Sequence, residues 1–237
     1  MLLGVAKYVT LMLFSVEVGY TVMGKGIGVL CALIKTVESV LLEGMIAKPR
    51  LLKLGTPHGR NKEDLMNYAD IKNVDVTNGP GVRISLFVSG CPHHCPGCFN
   101  PETWAYDYGE PFTEREVGKI IEMLDAPYIQ GLSLLGGEPL APKNQAAVLD
   151  LVKQVKEKLP GKDIWCYTGY LFEDLLDGRV GEHSQELLSY MDVLVDGQFQ
   201  KELKDIRLRF RGSSNQRIID VPKSLMEERV VVNSMYF

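Results

Sequence analysis

The chain has 237 residues, with 26 basic and 30 acidic side chains, a formal net charge of −4 and 46% hydrophobic residues. This length exceeds one typical domain but falls short of two, so we expect one core with appendages. The nearly balanced charge excludes the electrostatic pattern of a nucleic-acid-binding or membrane-surface protein. Five cysteines are an odd number, which favours reduced thiols in the cytoplasm over a disulfide framework.

The first 65 residues differ in character from the rest. Residues 1–47 are rich in apolar residues and glycine, whereas residues 48–64 are polar and typical of a linker. Charged residues divide the apolar part into uncharged runs of at most nine residues, and a membrane span needs about 20. No signal-peptide cleavage pattern follows. We expect a dispensable extension; a helix from Gly26 onward that packs on the main domain is the alternative.

Strand and helix patterns alternate between residues 66 and 221, and residues 222–237 follow as a C-terminal tail. The predicted strands are residues 83–90, 131–137, 163–170 and 191–197, and the predicted helices are residues 113–124, 142–159, 171–177 and 184–190. Thr113 and Glu116 have the spacing of a capping box at the start of a helix. One stripe is expected to face the core in the longest helix, consisting of Ala146, Leu149, Val152 and Val155.

Repeated strand-then-helix units predict an α/β fold with a mostly parallel sheet and right-handed crossovers. In such sheets, ligands bind at the carboxyl ends of the strands. Three cysteines, a double glycine at Gly136 and Gly137, and the pairs Thr168–Gly169 and Asp196–Gly197 each follow a predicted strand. We therefore expect the functional site at this edge of the sheet.

Cys91, Cys95 and Cys98 form a C-x3-C-x2-C pattern within eight residues. Soft thiolates bind zinc, copper(I) or iron–sulfur clusters. A structural zinc ion takes four protein ligands, and the nearby candidates for the fourth are His93 and His94, which share the three-residue gap. That crowding makes zinc the weaker interpretation.

The remaining cysteines offer no clear fourth ligand. Cys31 lies in the extension, and Cys166 is predicted inside a strand, where burial as a small apolar side chain is the simpler explanation. An ordinary electron-transfer cluster takes four cysteines. The pattern therefore favours a [4Fe-4S] cluster that is held by three cysteines and has one open iron.

The cysteine loop after one strand, together with the sequence GGEP at residues 136–139, resembles the radical S-adenosylmethionine enzymes. In that superfamily the amino and carboxylate groups of S-adenosylmethionine bind the open iron, and the glycine-rich strand end contacts the methionyl part. The resemblance implies a partial (βα) barrel with a curved, mostly parallel sheet.

Most of these enzymes have an aromatic residue just before the third cysteine, where this chain has Gly97. Residues 66–221 resemble the glycyl-radical activases of anaerobic ribonucleoside-triphosphate reductases, through the segments TNGPGVRISLFVSG, CPHHCPGCFNPETW, GKDIWCYTGY, VLVDGQF and RGSSNQRIIDV. This implies an oxidoreductase that cleaves S-adenosylmethionine reductively to a 5′-deoxyadenosyl radical, which takes a hydrogen atom from a glycine of the reductase. The implied partners are the reductase large subunit and an electron donor such as a flavodoxin or a thiol system, without nucleic acid or membrane.

The resemblance also implies roles for individual residues. The cluster ligands would be Cys91, Cys95 and Cys98. The cofactor-binding residues would be Gly97, Cys98 and Phe99 in the cysteine loop, and Gly136, Gly137 and Glu138 facing the methionyl amine, with a solvated turn as the alternative for Glu138. The far side of the cofactor would be shaped by Tyr167, Thr168, Gly169 and Asp196.

Two further assignments have simpler alternatives. Gly79, Pro80, Gly81 and Arg83 would form the edge where the glycine loop of the partner enters, or else an ordinary tight turn. His93 and His94 would donate hydrogen bonds to cluster sulfurs or, as we prefer, be solvated. The competing functions are activation of another glycyl-radical enzyme, such as pyruvate formate-lyase, and a non-catalytic metal-binding adaptor. Gly97 speaks against the first of these.

Overall fold

A computed structural model describes residues 65–236 of the protein. The predicted extension and linker, residues 1–65, lie outside the described residues apart from Leu65. One sheet of seven strands organises the described part, with the order β3-β1-β2-β4-β5-β6-β7. The strands are β1 (Asn67–Asp75), β2 (Val82–Val88), β3 (Glu110–Pro111), β4 (Ile129–Gly136), β5 (Asp163–Tyr167), β6 (Val193–Asp196) and β7 (Arg217–Asp220).

Within the described residues, five α-helices connect or follow the strands. They are α1 (Glu114–Leu124), α2 (Pro142–Lys158), α3 (Phe172–Leu176), α4 (Ser184–Leu188) and α5 (Val221–Glu227). Short 3₁₀ turns occur at Pro101–Trp104, Lys201–Leu203 and Ser234–Tyr236. None of the helices within residues 65–236 is long and apolar enough to cross a membrane.

The four central strands, β2, β4, β5 and β6, are parallel neighbours. Antiparallel strands flank them, with β1 and β3 on one side and β7 on the other. The sheet is open, because β3 and β7 are its two edges. These observations confirm the predicted α/β class with a mostly parallel sheet.

The four predicted strands and four predicted helices are all present, with ends shifted by a few residues. The strands β1, β3 and β7 and the helix α5 were not predicted. In strand β1 the polar Asp70, Lys72 and Asn73 are exposed and the one buried residue is Asp75, so the strand lacks the apolar alternation that reveals a half-buried strand. In strand β7 only Ile218 and Ile219 are apolar and buried, and two such residues give no strand signal. Strand β6 has the same length but three apolar residues.

Alternation along the strands gives the sheet two different faces. Ile84, Leu86 and Val88 of β2 belong to the main core, which the helices α1 and α2 complete. The opposite face carries a smaller buried cluster around Trp165, which consists of Trp165, Val193, Val195 and Ile218, with Tyr167, Phe210 and Tyr236 packed against it. Helices therefore cover one face, and loops and the tail cover part of the other.

One detail of the predicted core stripe in α2 is wrong. Leu149, Val152 and Val155 are buried, but Ala146 is exposed. Ala146 lies two residues before the buried Val148, which is about 200° around the helix axis at 3.6 residues per turn. Its small apolar side chain therefore faces away from the core.

Candidate functional site

A cavity of about 510 Å³ opens where β2, β4, β5 and β6 end. Twelve residues that the sequence analysis singled out line it, namely Cys91, His93, Cys95, Cys98, Phe99, Gly136, Gly137, Glu138, Tyr167, Thr168, Gly169 and Gly197. Gly97 and Asp196 are not among the lining residues. The parallel strands thus bring together residues that lie far apart in the chain, such as Cys91 and Gly169, which are separated by 78 positions.

Backbone hydrogen bonds hold the start of the cysteine loop against the next turn of the chain. The amide of Gly90 donates to the Thr103 carbonyl at 2.8 Å, and that of Cys91 donates to the Trp104 carbonyl at 3.1 Å. Gly90 has a φ of +90°, and a Cβ there would lie 2.0 Å from the Tyr106 ring. Glycine is therefore required at the bend that begins the loop.

All three loop cysteines are free thiols and partly exposed, whereas Cys166 is buried in the core. Burial raises the pKa of the Cys91 thiol to about 11, and the carboxylate of Glu138 adds to this effect. Burial also raises the pKa of Cys95. These thiols favour the protonated form at neutral pH, so a bound cation must supply the charge that deprotonates them.

Within residues 65–236, no group of three or more His, Cys, Asp or Glu side chains is arranged to hold one metal ion. The three cysteines nevertheless line one cavity. In a cubane cluster each thiolate binds a different iron, so the sulfur atoms do not have to converge on a single point.

Glu138 is buried, with 1% of its side chain exposed, so the solvated-turn alternative is wrong. Its Oε1 accepts hydrogen bonds from the Leu140 amide at 2.9 Å and the Thr168 hydroxyl at 2.8 Å. Its Oε2 accepts from the Gly169 amide at 2.7 Å and lies 3.0 Å from His93 Nε2. The carboxylate is therefore saturated by protein groups, as a buried charge requires.

The two histidines have different environments. The side chain of His93 is only 8% exposed, so its predicted solvated state is wrong. His94 is exposed, as we expected, and its ring stacks on Trp104 with 4.7 Å between centroids.

Both glycines of the GGEP segment are required by contacts within the protein. A Cβ on Gly136 would lie 2.7 Å from Phe87 Cα, and the φ of Gly136 is +103°. A Cβ on Gly137 would lie 2.7 Å from the Gly90 carbonyl oxygen. The double glycine thus lets the end of β4 approach β2 and the cysteine loop closely.

Two residues predicted to serve the site, Asp196 and Gly97, lie outside the cavity lining and make contacts elsewhere. Asp196 is fully buried and forms an ion pair with Arg217, and its carboxylate also accepts from the Phe172 amide at 2.9 Å. Gly97 has a φ of +76° and lies next to the side chains of Phe199 and Lys201. Asp196 ties β6 to β7 and α3, and Gly97 permits a left-handed turn between two cysteines.

Arg83 cannot meet a partner, which corrects its predicted role at an entry edge. Its side chain is fully buried and paired with Asp163. Gly79 and Gly81 have positive φ values of +127° and +71°, so the tight-turn alternative describes them. A Cβ on Gly79 would lie 2.8 Å from the Arg83 side chain.

Several lining residues were not singled out from the sequence, including Lys72, Asn78, Phe199 and Phe210. Phe199 contacts the predicted Phe99 edge to face, with 5.5 Å between ring centroids. Phe199 and Phe210 occur in or beside the segments VLVDGQF and RGSSNQRIIDV. Loop residues lack the hydrophobic periodicity that predicts helices and strands. These short sequence matches were therefore the signal that could have identified Phe199 and Phe210 as site residues.

The family described as a 4Fe-4S single cluster domain matches residues 77–219. This range contains the cysteine loop and most of the cavity lining. Fold and site therefore define an iron–sulfur protein with a single [4Fe-4S] cluster domain, which agrees with the cluster expected from the cysteine pattern.

The chain is also similar to curated proteins named anaerobic ribonucleoside-triphosphate reductase-activating protein. It is 46% identical to that of Escherichia coli K12 over 64% of this chain and 96% of the relative. The identity is 49% with that of Vibrio cholerae O1, over 65% and 97%, and 46% with that of Enterobacteria phage T4, over 65% and 93%. The chain belongs to the family of anaerobic ribonucleoside-triphosphate reductase-activating proteins, which confirms the resemblance seen in its motifs.

Proposed function

We propose that this protein is a radical S-adenosylmethionine activase, an oxidoreductase that generates a glycyl radical on anaerobic ribonucleoside-triphosphate reductase. The observation that carries the proposal is its 43–49% identity to activating proteins of that reductase, over 93–97% of their length. The cavity supports it, because three free cysteines and the GGEP segment line the same space.

Cys91, Cys95 and Cys98 are the proposed ligands of the [4Fe-4S] cluster. The fit rests on their shared cavity and free thiols, and on Cys166 lying in the core among apolar side chains. When bound together, the reduced cluster and S-adenosylmethionine supply a 5′-deoxyadenosyl radical by cleavage of a C–S bond. The protein provides orientation and an enclosed site for this chemistry.

The cavity suits a cofactor of the size of S-adenosylmethionine, since small-molecule sites usually measure about 300–1,000 Å³. We propose that backbone groups of Gly136, Gly137 and Glu138 face the methionyl part, because the Glu138 carboxylate is already saturated. Cys98 and Phe99 line the cysteine-loop side, and Phe99 with Phe199 offers an apolar wall for the adenine. Gly97 contributes by shaping this loop.

We further propose that the fold is a partial (βα) barrel of the radical S-adenosylmethionine type. Four parallel strands form its centre. Helices α1 and α2 pack on one face, and the cavity adjoins the other. A sheet that curves toward the cavity side would enclose the cofactor.

The proposed partners are the large subunit of the reductase and an electron donor such as a flavodoxin or a thiol system. The activating proteins to which the chain is similar are named for this reductase, which supports the reductase as the partner. Four free cysteines among the described residues are consistent with a reducing compartment, so we place the protein in the cytoplasm.

The test uses the full chain, reconstituted anaerobically with iron and sulfide and mixed with reductant, S-adenosylmethionine and the candidate reductase. We expect a cluster spectrum that changes on addition of S-adenosylmethionine, and a glycyl doublet in electron paramagnetic resonance. Cys98→Ala should lower 5′-deoxyadenosine formation at least about 100-fold, since one cluster ligand is lost. Cys166→Ala is the matched control and should retain the activity.

Two results would contradict the proposal. One is that the purified protein contains tightly bound zinc and its spectrum does not change when S-adenosylmethionine is added. That result would indicate a metal-binding adaptor. The other is a Cys98→Ala variant that still forms 5′-deoxyadenosine at the wild-type rate.

A further inference from the structure

The imidazole of His93 occupies a socket built from three separate loops. Its Nε2 lies 3.0 Å from Glu138 Oε2, and its Nδ1 lies 3.1 Å from Gln198 Nε2. The ring of Tyr170 packs against it edge to face, with 4.5 Å between centroids. These partners follow β4, β5 and β6, so one side chain of the cysteine loop connects to the ends of three strands.

The hydrogen bonds define a single arrangement of the ring. An amide nitrogen such as Gln198 Nε2 only donates, so His93 Nδ1 accepts and His93 Nε2 carries the proton donated to Glu138. Glu138 is itself held by hydrogen bonds from Leu140, Thr168 and Gly169. The acceptor for His93 is therefore rigid before any cofactor binds.

Gly169 completes the socket. A Cβ at this position would lie 2.4 Å from His93 Cδ2 and 2.6 Å from His93 Nε2. The backbone of Gly169 is not among those with positive φ, so its own conformation does not require glycine. The missing side chain leaves the room that the His93 ring occupies.

We infer that His93 is a positioning residue, which fixes the cysteine loop to the strand ends through Glu138 and the space left by Gly169. His93 lies two residues from both Cys91 and Cys95, so its displacement would move both thiols. The inference rests on the proposed function only in naming these thiols as cluster ligands. The socket itself is formed entirely by protein groups.

The test measures the alkylation rate of each cysteine by iodoacetamide in the cluster-free full chain, read by mass spectrometry. We expect Cys91 and Cys95 to react about tenfold faster in His93→Ala and in Gly169→Ala than in the wild type. The buried Cys166 should stay protected in both variants, because the fold remains intact. His94→Ala, at the exposed neighbour, should stay within twofold of the wild type.

Two further variants make the test specific. In the double variant His93→Ala/Gly169→Ala, the loop cysteines should react no faster than in His93→Ala. Without the His93 ring, the methyl group added at position 169 has nothing to displace. His93→Gln should slow the reaction again, because its amide can still donate to Glu138.

Three outcomes would overturn the inference. They are wild-type rates in His93→Ala, an added effect of Gly169→Ala in the His93→Ala background, and Cys166 alkylation that rises in parallel with the loop cysteines. The assay contains no iron, S-adenosylmethionine or reductase. The result of the alkylation assay therefore does not depend on whether the protein has the proposed activase activity. The positioning role of His93 and the proposed function can be refuted independently of each other.

Discussion

Arg83 shows how one buried residue can organise the face of the sheet opposite the main helices. Its Nε donates to the Ser133 hydroxyl at 2.7 Å, and its Nη2 donates to the Leu132 carbonyl at 2.9 Å and to Asp163. The guanidinium lies 5.5 Å from the centre of the Trp165 ring. A buried charge is tolerated when such partners satisfy it.

Replacing Arg83 should destabilise the protein severely. Arg83→Ala removes the donor to the Leu132 carbonyl and leaves Asp163 with the hydrogen bond from Gln130. Because Arg83 is fully buried but Asp163 is 26% exposed, the cost should be roughly 3 kcal/mol, the lower end of the range for a broken buried pair. Urea denaturation of the cluster-free protein measures this as a lower midpoint. The control Lys153→Ala breaks an exposed pair with Glu186 and should cost at most about 1 kcal/mol. Equal effects of the two variants would contradict the structural role of Arg83.

At the scale of elements, helix α1 begins with a complete capping box. The Thr113 hydroxyl accepts from the Arg115 amide at 3.3 Å, and the Thr113 amide donates to the Glu116 carboxylate at 3.1 Å. Val117, Ile120 and Leu124 then bury one face of the helix against the sheet. The sequence predicted this cap because its two residues lie within one turn of each other.

Thr113→Ala should lower the free energy of unfolding by about 0.5–2 kcal/mol, the usual effect of losing an N-cap side chain. The matched change in the same helix is Gly118→Ala, where the added Cβ meets no atom within 4 Å. That variant should stabilise the protein by about 0.5–1 kcal/mol. Thermal unfolding of both variants checks the pair, and an unchanged midpoint for Thr113→Ala would argue against the cap.

At the scale of the whole molecule, buried carboxylates make stability depend on pH. Burial opposes ionisation of Asp75, but hydrogen bonds from Thr77 and Asn78 outweigh it and hold the pKa of Asp75 well below its usual value. The pKa of Glu116 is lowered because hydrogen bonds from Thr113 and Arg115 likewise outweigh burial. Stability from such groups is present above the unfolded-state pKa, near 4, and is lost as the pH falls.

The free energy of unfolding of the cluster-free protein should therefore decline as the pH falls from about 5 to 3. Asp75→Asn removes one contributing carboxyl, so its decline should be shallower, with a difference of about 1 kcal/mol between the ends of this range. Chemical denaturation at a series of pH values measures both curves. Parallel curves for the variant and the wild type would rule out a contribution from Asp75.

Several features of this protein could be predicted from short stretches of neighbouring residues in the sequence. The cysteine loop, the GGEP segment and the cap of α1 are each local patterns, and the alternation of strands and helices predicted where the site would lie. Local patterns suffice there because the chemistry or geometry involved spans only a few residues.

Only the tertiary structure decided the roles of Arg83, His93, Glu138 and Gly169. The partners that define these roles lie 31 to 105 positions away along the chain, and no spacing within a short segment reveals them. Parallel strands align their ends in space irrespective of the length of chain between them. For this reason His93, which we predicted to be solvated, is held between the ends of three strands. Arg83, which we predicted to face a partner protein, is buried in the interior.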